Sequence, residues 1–430
     1  MLVNPIRDLH PRELLGRDVP AAALWVAVVV PPSFGFWLVA GDLAGVPAAD
    51  QHTLIVASLL AVGLATLCQV ALGYRMPIFE GPASIYLGAM AVLSASAAGA
   101  RPAEITGGLL VAGALVFAFG AIGVDRLLKR IFTPPVVAAF LVIVVITVIP
   151  ATVGHAIGRD SGHPWGIFAA WLSAAVVVAV AVGGQTRPRL RPYSLLVSLL
   201  LGTLTYILLS GFPDSAPDSG WGMPQLFPWG APAFSVSVVV PFLIAGALAS
   251  FNTIASIDAM ADAQGQSPRP GAERRALVAH GGAQAFTACF GNLLGNVPRL
   301  DSVGVVRMID NPRPQALGLA ALAIVALAFV GPVVDLLAQI PIAVSAALLA
   351  VVLGILAAQG LRQVATFDWR RRWLVFAPAV APTFAWMPIA GRLSEREQLI
   401  ANPLLIGVVI AVVLDRVVPR GPVNRARGDD

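Results

Sequence analysis

Residues 73–86 read GYRMPIFEGPASIY and residues 294–307 read LGNVPRLDSVGVVR. The two stretches lie 221 residues apart, and each places a carboxylate three positions after a proline: Pro77 with Glu80, and Pro298 with Asp301. The same offset aligns Thr66-Leu67-Cys68 with Thr287-Ala288-Cys289, and both cysteines of the chain fall on it. A second echo joins PPVVAAFLVIVV from Pro134 to IPIAVSAALLAVVL from Ile340. Each proline-containing stretch opens an apolar run, 82–97 and 302–310, too short to cross a bilayer unaided. Crossing needs about 20 mostly apolar residues. Irregular chain at membrane depth must be buried in protein or line a cavity.

Composition decides the solvent. The chain has 430 residues, 57% hydrophobic and 12% charged, with a mean hydropathy of +0.82. A soluble domain carries roughly 25% charged residues. This chain has too little charge to cover a surface facing water. That excludes a soluble enzyme, a secreted disulfide scaffold, a disordered regulator and a nucleic-acid binder. Cys68 and Cys289 both sit in apolar runs, away from any metal-ligand spacing. The first twenty residues are polar, carry Arg7, Arg12 and Arg17, and read as a tail at one membrane face rather than a signal peptide.

Apolar runs predict spans near 21–40, 52–72, 104–124, 134–152, 166–184, 191–211, 233–258, 275–294, 314–333, 340–359, 372–389 and 401–419. With the two short runs they make fourteen segments, the short ones being numbers 3 and 10. Positive charge concentrates on the cytoplasmic side of a membrane protein. With a cytoplasmic N-terminus, only Arg101, Arg159, Arg392 and Arg396 of the 28 Lys and Arg fall outside, and Arg299 falls within the membrane. Both termini are therefore expected in the cytoplasm, and the net charge of +5 follows from topology. Seven segments per half is an odd number, so the second half enters from the opposite side. The expected fold is an all-α polytopic membrane protein: fourteen transmembrane segments in a 7+7 inverted repeat, with half-helices 3 and 10 each preceded by a short extended strand. Carriers built this way bind substrate near the midplane, at broken helices in matching positions.

The half-helix N-termini offer free N–H groups and partial positive charge to a polar or anionic group. Gly81, Pro82 and Pro298 are expected to make a tight turn into each. Asp301 and Glu80 are intramembrane carboxylates. Each can titrate with a coupling proton or bind substrate, or instead cap a helix start. Glu80 has Arg75 and Arg299 as candidate partners. Arg299 can contact substrate or neutralise either carboxylate. Segment 8 carries a polar stripe of Ser250, Asn252, Thr253, Ser256 and Asp258. These contact substrate or bond neighbouring helices. Asp258 lies near the cytoplasmic end, solvated or paired with a loop arginine. His280 in segment 9 reads as a lone histidine, more often structural than a proton relay. No metalloprotease pair, nucleophile elbow or phosphate-binding glycine loop occurs.

The chain resembles the nucleobase–ascorbate transporters, also called nucleobase:cation symporter-2 proteins, over nearly its full length. GYRMPIFEGPASIY, FTPPVVAAFLVIVVITVIP, RLDSVGVVRMI and IPIAVSAALLAVVLGILAAQGLR resemble the family's motifs at segments 3, 5, 10 and 12, in order. The resemblance implies a substrate-carrying core, 21–124 and 233–333, and a gate, 125–211 and 340–419, between tails 1–20 and 420–430. It implies elevator transport coupled to protons or sodium, and a homodimer. It puts the segment-10 carboxylate on Asp301, the following Asn on Ser302, and the segment-3 aromatic near Ser84. There are departures. The family's segment-8 Glu falls on Ala249, or on Asn252 one turn along. Its Ser-Ser-Phe triplet reads Pro82-Ala83-Ser84, which removes an aromatic stacking contact. Its Tyr before the segment-10 carboxylate gives way to Arg299, two positions before Asp301.

The function expected is secondary active transport of a nucleobase-like purine or pyrimidine across the inner (plasma) membrane by cation symport. The expected substrate residues are Asp301, Ser302, Asn252, Thr253, Ser84, Glu80 and Arg299, with Asp301 and Glu80 coupling. No cofactor, metal or nucleic acid is expected; the partners are the substrate, a coupling proton or sodium, the bilayer and a second copy. The alternatives are an anion carrier of the same fold using Arg299, and a non-transporting sensor or intramembrane enzyme.

Overall fold

Prolines mark where helices begin. Pro102, Pro134, Pro164, Pro314 and Pro403 each occupy the first position of a helix, where the missing N–H has no intrahelical partner to lose. Asn402 caps the last of these, its side-chain oxygen accepting from the Leu404 and Leu405 amides at 2.9 and 3.3 Å. The computed structural model describes residues 14–94, 101–158, 164–187, 190, 193–211, 223–309, 311–368, 370, 372–389, 392, 397 and 401–418. Arg7 and Arg12, most of both tails, and Arg159 and Arg396 of the outward count lie outside the described residues.

The first half runs α1 Val19–Leu43, α2 Gln51–Ala71, β1 Glu80–Pro82, α3 Ser84–Ser94, α4 Pro102–Ile122, α5 Asp125–Ile131, α6 Pro134–Ala156, α7 Pro164–Gln185 and α8 Ser194–Ser210. The second runs α9 Val236–Ala263, α10 Ala272–Cys289, β2 Asn296–Pro298, α11 Ser302–Ile309, α12 Pro314–Leu327, α13 Gly331–Ala338, α14 Ile342–Ala365, α15 Ala377–Trp386 and α16 Pro403–Val417. Gln51 and Ala272, which open α2 and α10, stand on the 221-residue register.

Among the described residues, six helices (α1, α2, α4, α7, α9 and α14) are long and apolar enough to cross a membrane, and two bent pairs bring the total to eight. The pairs are α5 with α6, bent by 74°, and α12 with α13, bent by 85°. The expected straight span 314–333 is thus a broken one, with Gly331 and Pro332 restarting the helix. The run at 372–389 holds a π-helical turn and then only the ten residues of α15, interrupted by Pro382. Helix α10 carries Glu273, Arg274, Arg275, His280 and Gln284 and has little apolar character of its own. It packs between α4 and α2, so protein groups rather than lipid meet much of its surface. The outward faces of α7 and α8 expose Trp165, Phe168, Trp171, Leu200, Leu204 and Leu208, as contact with hydrocarbon requires. The chain is a multi-pass membrane protein.

Glycines bring α4 and α10 together. A Cβ on Gly113 would stand 2.9 Å from the Gly281 carbonyl oxygen, and one on Gly120 2.6 Å from the Val278 amide; small residues of this kind let membrane helices approach backbone to backbone. Helices α1, α2, α4, α9, α10 and α12 pack among themselves around the strands. Helices α6, α7, α8, α14, α15 and α16 form a second packed set, which meets the first through α14 on α1, while α3 packs on both α6 of the second set and α9 and α1 of the first.

Asp258 pairs with Lys129 of α5 at 2.9 Å, not with an arginine, and the same ammonium holds Glu273 at 2.7 Å. Partial burial alone would lower the Lys129 pKa; the two carboxylates outweigh it and raise it above the ordinary lysine value. A raised lysine pKa stabilises the fold below the unfolded-state value, and that stabilisation is lost as pH climbs through the folded one. Lys129→Met should lower the melting temperature of the detergent-purified protein at neutral pH, by a margin set by about 1 kcal/mol or less. The margin should shrink as the melts are taken to alkaline pH.

Candidate functional site

The two chain interruptions meet. Strands β1 and β2 pair antiparallel, with Glu80 opposite Pro298, Gly81 opposite Val297 and Pro82 opposite Asn296. All six residues are buried. Backbone bonds extend the ladder at both ends: the Ala83 amide donates to Gly295 O at 3.0 Å, and the Arg299 amide to Phe79 O at 2.9 Å. Gly81, Pro82 and Pro298 therefore lie in extended strands rather than in a tight turn. Proline suits this position because it brings no N–H to satisfy. Gly295 is required by the fit, since a Cβ there would run into the Tyr86 ring.

Side chains close the remaining backbone valences. Asn252 Nδ2 donates to Pro298 O at 2.7 Å, and Ser256 Oγ donates to the same oxygen at 3.0 Å. Thr66 Oγ1 accepts from the Glu80 amide at 3.0 Å. Ser302 Oγ accepts from the Phe79 amide at 3.2 Å, tying the start of α11 to the chain ahead of β1. Two of the expected substrate residues, Asn252 and Ser302, thus brace the crossing. Thr253 is buried and donates back to Ala249 O within its own helix at 2.9 Å; Ser250 does the same to Gly246 O. Ser84, half-buried, opens α3.

The two carboxylates have different surroundings. Asp301 is 51% exposed at its side chain and is held by Arg299 through two bonds, Nη2 to Oδ2 at 2.8 Å and Nε to Oδ1 at 3.2 Å. The guanidinium also stands 6.0 Å from the Phe36 ring centroid and 5.9 Å from that of Phe79, within cation–π range. Beyond Asp301, one turn into α11, Gly304 faces open space: a Cβ there would meet nothing within 4 Å. Glu80 has no exposure. Its basic neighbour is neither Arg75 nor Arg299 but His280, whose Nδ1 lies 3.6 Å from Glu80 Oε2. Arg75 turns back to Ala71 O at 3.1 Å. His280 is thus not an isolated structural histidine. Gln69 of α2 and Gln284 of α10 flank it: Gln69 donates to Ala276 O and Gln284 to Leu109 O. Uncharged polar side chains on α2 and α10 were the available signal, but hydropathy alone does not say which face they share.

A cavity of about 520 Å³ opens elsewhere, between α2, α4 and α10, lined by Cys68, Leu72, Gly120, Ala121, Arg274 and Val278 among others. Its wall is mostly apolar, and it does not touch the strand crossing. Among the described residues no group of three or more His, Cys, Asp or Glu is arranged to hold a metal ion.

A family model described as "Permease family", that of the xanthine and uracil permeases, matches residues 20–389. The chain belongs to the nucleobase–ascorbate transporter family. Its relatives are permeases, not enzymes. It is 24% identical to the xanthine permease XanP of Escherichia coli over 438 residues, spanning 95% of this chain and 92% of that one. It is 23% identical to a putative purine permease, YwdJ, of Bacillus subtilis over 342 residues, 75% of this chain and 73% of the relative. Among solved structures, the transmembrane domain of the cyanobacterial bicarbonate transporter BicA matches with a TM-score of 0.64 at 16% identity, covering 94% of this chain and 98% of that one. The inward-facing murine Solute Carrier 26 family member A9 anion transporter matches at 0.65 and 14%, covering 96% and 69%. At that identity the structures speak for the fold alone.

Breaking the brace should unfold the permease more easily. Asn252→Ala or Ser256→Ala leaves the Pro298 carbonyl one donor, and each should destabilise by about 1 kcal/mol. The double variant strands a buried acceptor and should exceed the sum of the singles, by up to roughly 1–3 kcal/mol. Thermal unfolding of the three purified variants measures the difference.

Proposed function

We propose that this permease is a secondary active carrier of a nucleobase-like purine or pyrimidine. The observation that carries the reading is the Arg299–Asp301 pair at the half-open start of α11, beside the crossing of two broken helices. A nucleobase edge alternates N–H donors with carbonyl or ring-nitrogen acceptors. Asp301 supplies acceptors, Arg299 supplies donors, and both are pre-aimed by their mutual bonds. Asn252, half-buried on α9 and bonded to Pro298 O, borders the same region; Ser84, half-buried at the start of α3, is the proposed contact at the other end of the ladder, past Pro82. Ser302 and Thr253 support from behind. Glu80 and Asp301 are the carboxylates available for coupling to a proton, with sodium as the other candidate ion.

On this reading the chain has fourteen segments in a 7+7 inverted repeat. The core is 21–124 with 233–333, and the gate is 125–211 with 340–419. The separate packing of the two helix sets supports that division. The core carries substrate past the gate in an elevator movement, and the gate forms a homodimer. The protein resides in the inner membrane with both termini in the cytoplasm. The names of the relatives support the nucleobase class. The anion reading draws on the fold of the solved structures, but Arg299 is already neutralised by Asp301, which weakens it as an anion trap.

The test is uptake by proteoliposomes from a panel of labelled purines, pyrimidines and small anions, with and without an imposed proton gradient. Wild type should accumulate a purine or pyrimidine. Asp301→Ala should lose roughly tenfold or more of that uptake with expression intact, since a hydrogen bond to a charged group contributes about 1.5–3 kcal/mol. Normal uptake by Asp301→Ala removes that residue from the mechanism. Anion uptake that Arg299→Gln abolishes, with no competition by nucleobases, replaces the reading with the anion one.

A further inference from the structure

The buried pair Glu80–His280 has no structural account. Both carboxylate oxygens of Glu80 and both ring nitrogens of His280 lie buried without a hydrogen-bond partner. Their separation of 3.6 Å is too long for a hydrogen bond and short enough for strong charge coupling. A structural ion pair at this depth is normally saturated with hydrogen bonds, because burying an unsatisfied charge costs several kcal/mol. Each such buried group calls for an explanation, a functional role among them.

The surroundings narrow the use. On α2, Cys68 lies within electrostatic range of Glu80, and Thr66 accepts from the Glu80 amide; ahead of β1 stands Tyr74; on α3 stands Tyr86. Gln69 and Gln284 flank His280 and are uncharged. Arg75 is turned to Ala71 O and Arg299 to Asp301. Lys129 holds Asp258 and Glu273 instead. His280 is therefore the basic group that faces Glu80, and the other titratable neighbours are a thiol and two phenols. Asp301, by contrast, is half exposed and already has a guanidinium as counterion.

Resting on the carrier reading above, we propose that Glu80 and His280 together hold the coupling proton of transport. With one proton between them the pair is neutral overall, as carboxylic acid with imidazole or as carboxylate with imidazolium. Loss of that proton from Glu80 Oε2 or His280 Nδ1 leaves a lone buried carboxylate, which is costly at a site without a second cation. The charge state acts directly on the substrate region, because Glu80 is a strand residue paired with Pro298. Pro298 carries the Asn252 and Ser256 bonds and leads into Arg299 and Asp301. Proton occupancy and the geometry of the crossing are thereby one coupled variable.

Two measurements test this. Infrared pH-difference spectra of the purified protein read buried carboxyl groups without any substrate. A titrating protonated-carboxyl band should be lost in Glu80→Gln, and its midpoint should move in His280→Asn. In proteoliposomes, the ratio of uptake with a proton gradient to uptake without one reads coupling independently of total activity. A gradient of one pH unit supports up to about tenfold accumulation per proton carried; the ratio should fall to about one in either variant. The proposal is overturned by a band that survives Glu80→Gln, by a wild-type ratio in either variant, or by wild-type accumulation that follows sodium instead. Should a variant not purify, the wild-type spectrum decides alone: no titrating buried carboxyl overturns the proposal. If wild type carries only anions while the band titrates as expected, the nucleobase reading falls. The proton site is then judged by the same ratio measured with the anion.

Discussion

An unpaired backbone amide or carbonyl cannot be left facing hydrocarbon, and this fold interrupts two helices within its interior. Everything around the crossing answers that constraint. The strands supply each other's partners over three residue pairs, and Thr66, Asn252, Ser256 and Ser302 take the backbone groups the ladder leaves over. Prolines at 82 and 298 reduce the number of donors to be satisfied. The polar residues that look most like ligands in a hydropathy profile are, in large part, the means by which a break can exist at all.

The repeat is symmetric in sequence and asymmetric in chemistry. Glu80 and Asp301 occupy matching positions, yet one is sealed beside an imidazole and the other is half open beside a guanidinium. The difference comes from the neighbours. His280 has Leu59 as its counterpart on the 221-residue register, and Arg299 has Ile78. Two equivalent carboxylates would compete for one task. Here their environments separate them, one toward the accessible face and one toward the buried interior, which is how a pair of like groups takes up distinct roles.

Close packing makes the separation durable. The glycine seam between α4 and α10 lets α10 sit deep enough for His280 to reach Glu80, and Gln69 and Gln284 fasten α10 to α2 and α4 through backbone carbonyls. A helix with six charged or polar side chains is stable in that position because protein groups, not lipid, meet much of its surface. The same reasoning explains why α10 looks a poor span by hydropathy and is nonetheless central.

Much of this was legible in the order of residues. Apolar runs, the scarcity of charge and the Pro-x-x-carboxylate pair at a fixed offset predicted a helical membrane protein with two matched interruptions, because those depend on local composition and period. Element ends followed from prolines. Partner choice was not legible. Sequence spacing offered Arg75 and Arg299 to Glu80, since both are near it in register or in the chain, while the fold delivered His280 from 200 residues away. Asp258 was expected to be solvated or paired with a loop arginine; it is partly exposed and pairs with Lys129. Asn252, read as a substrate contact or an interhelical bond, and Ser302, read as a substrate contact, both hold backbone atoms of the breaks. Sequence determines which groups must be buried; only the three-dimensional packing, where helices from both halves interleave, decides which of them meet and which are left to bind something else.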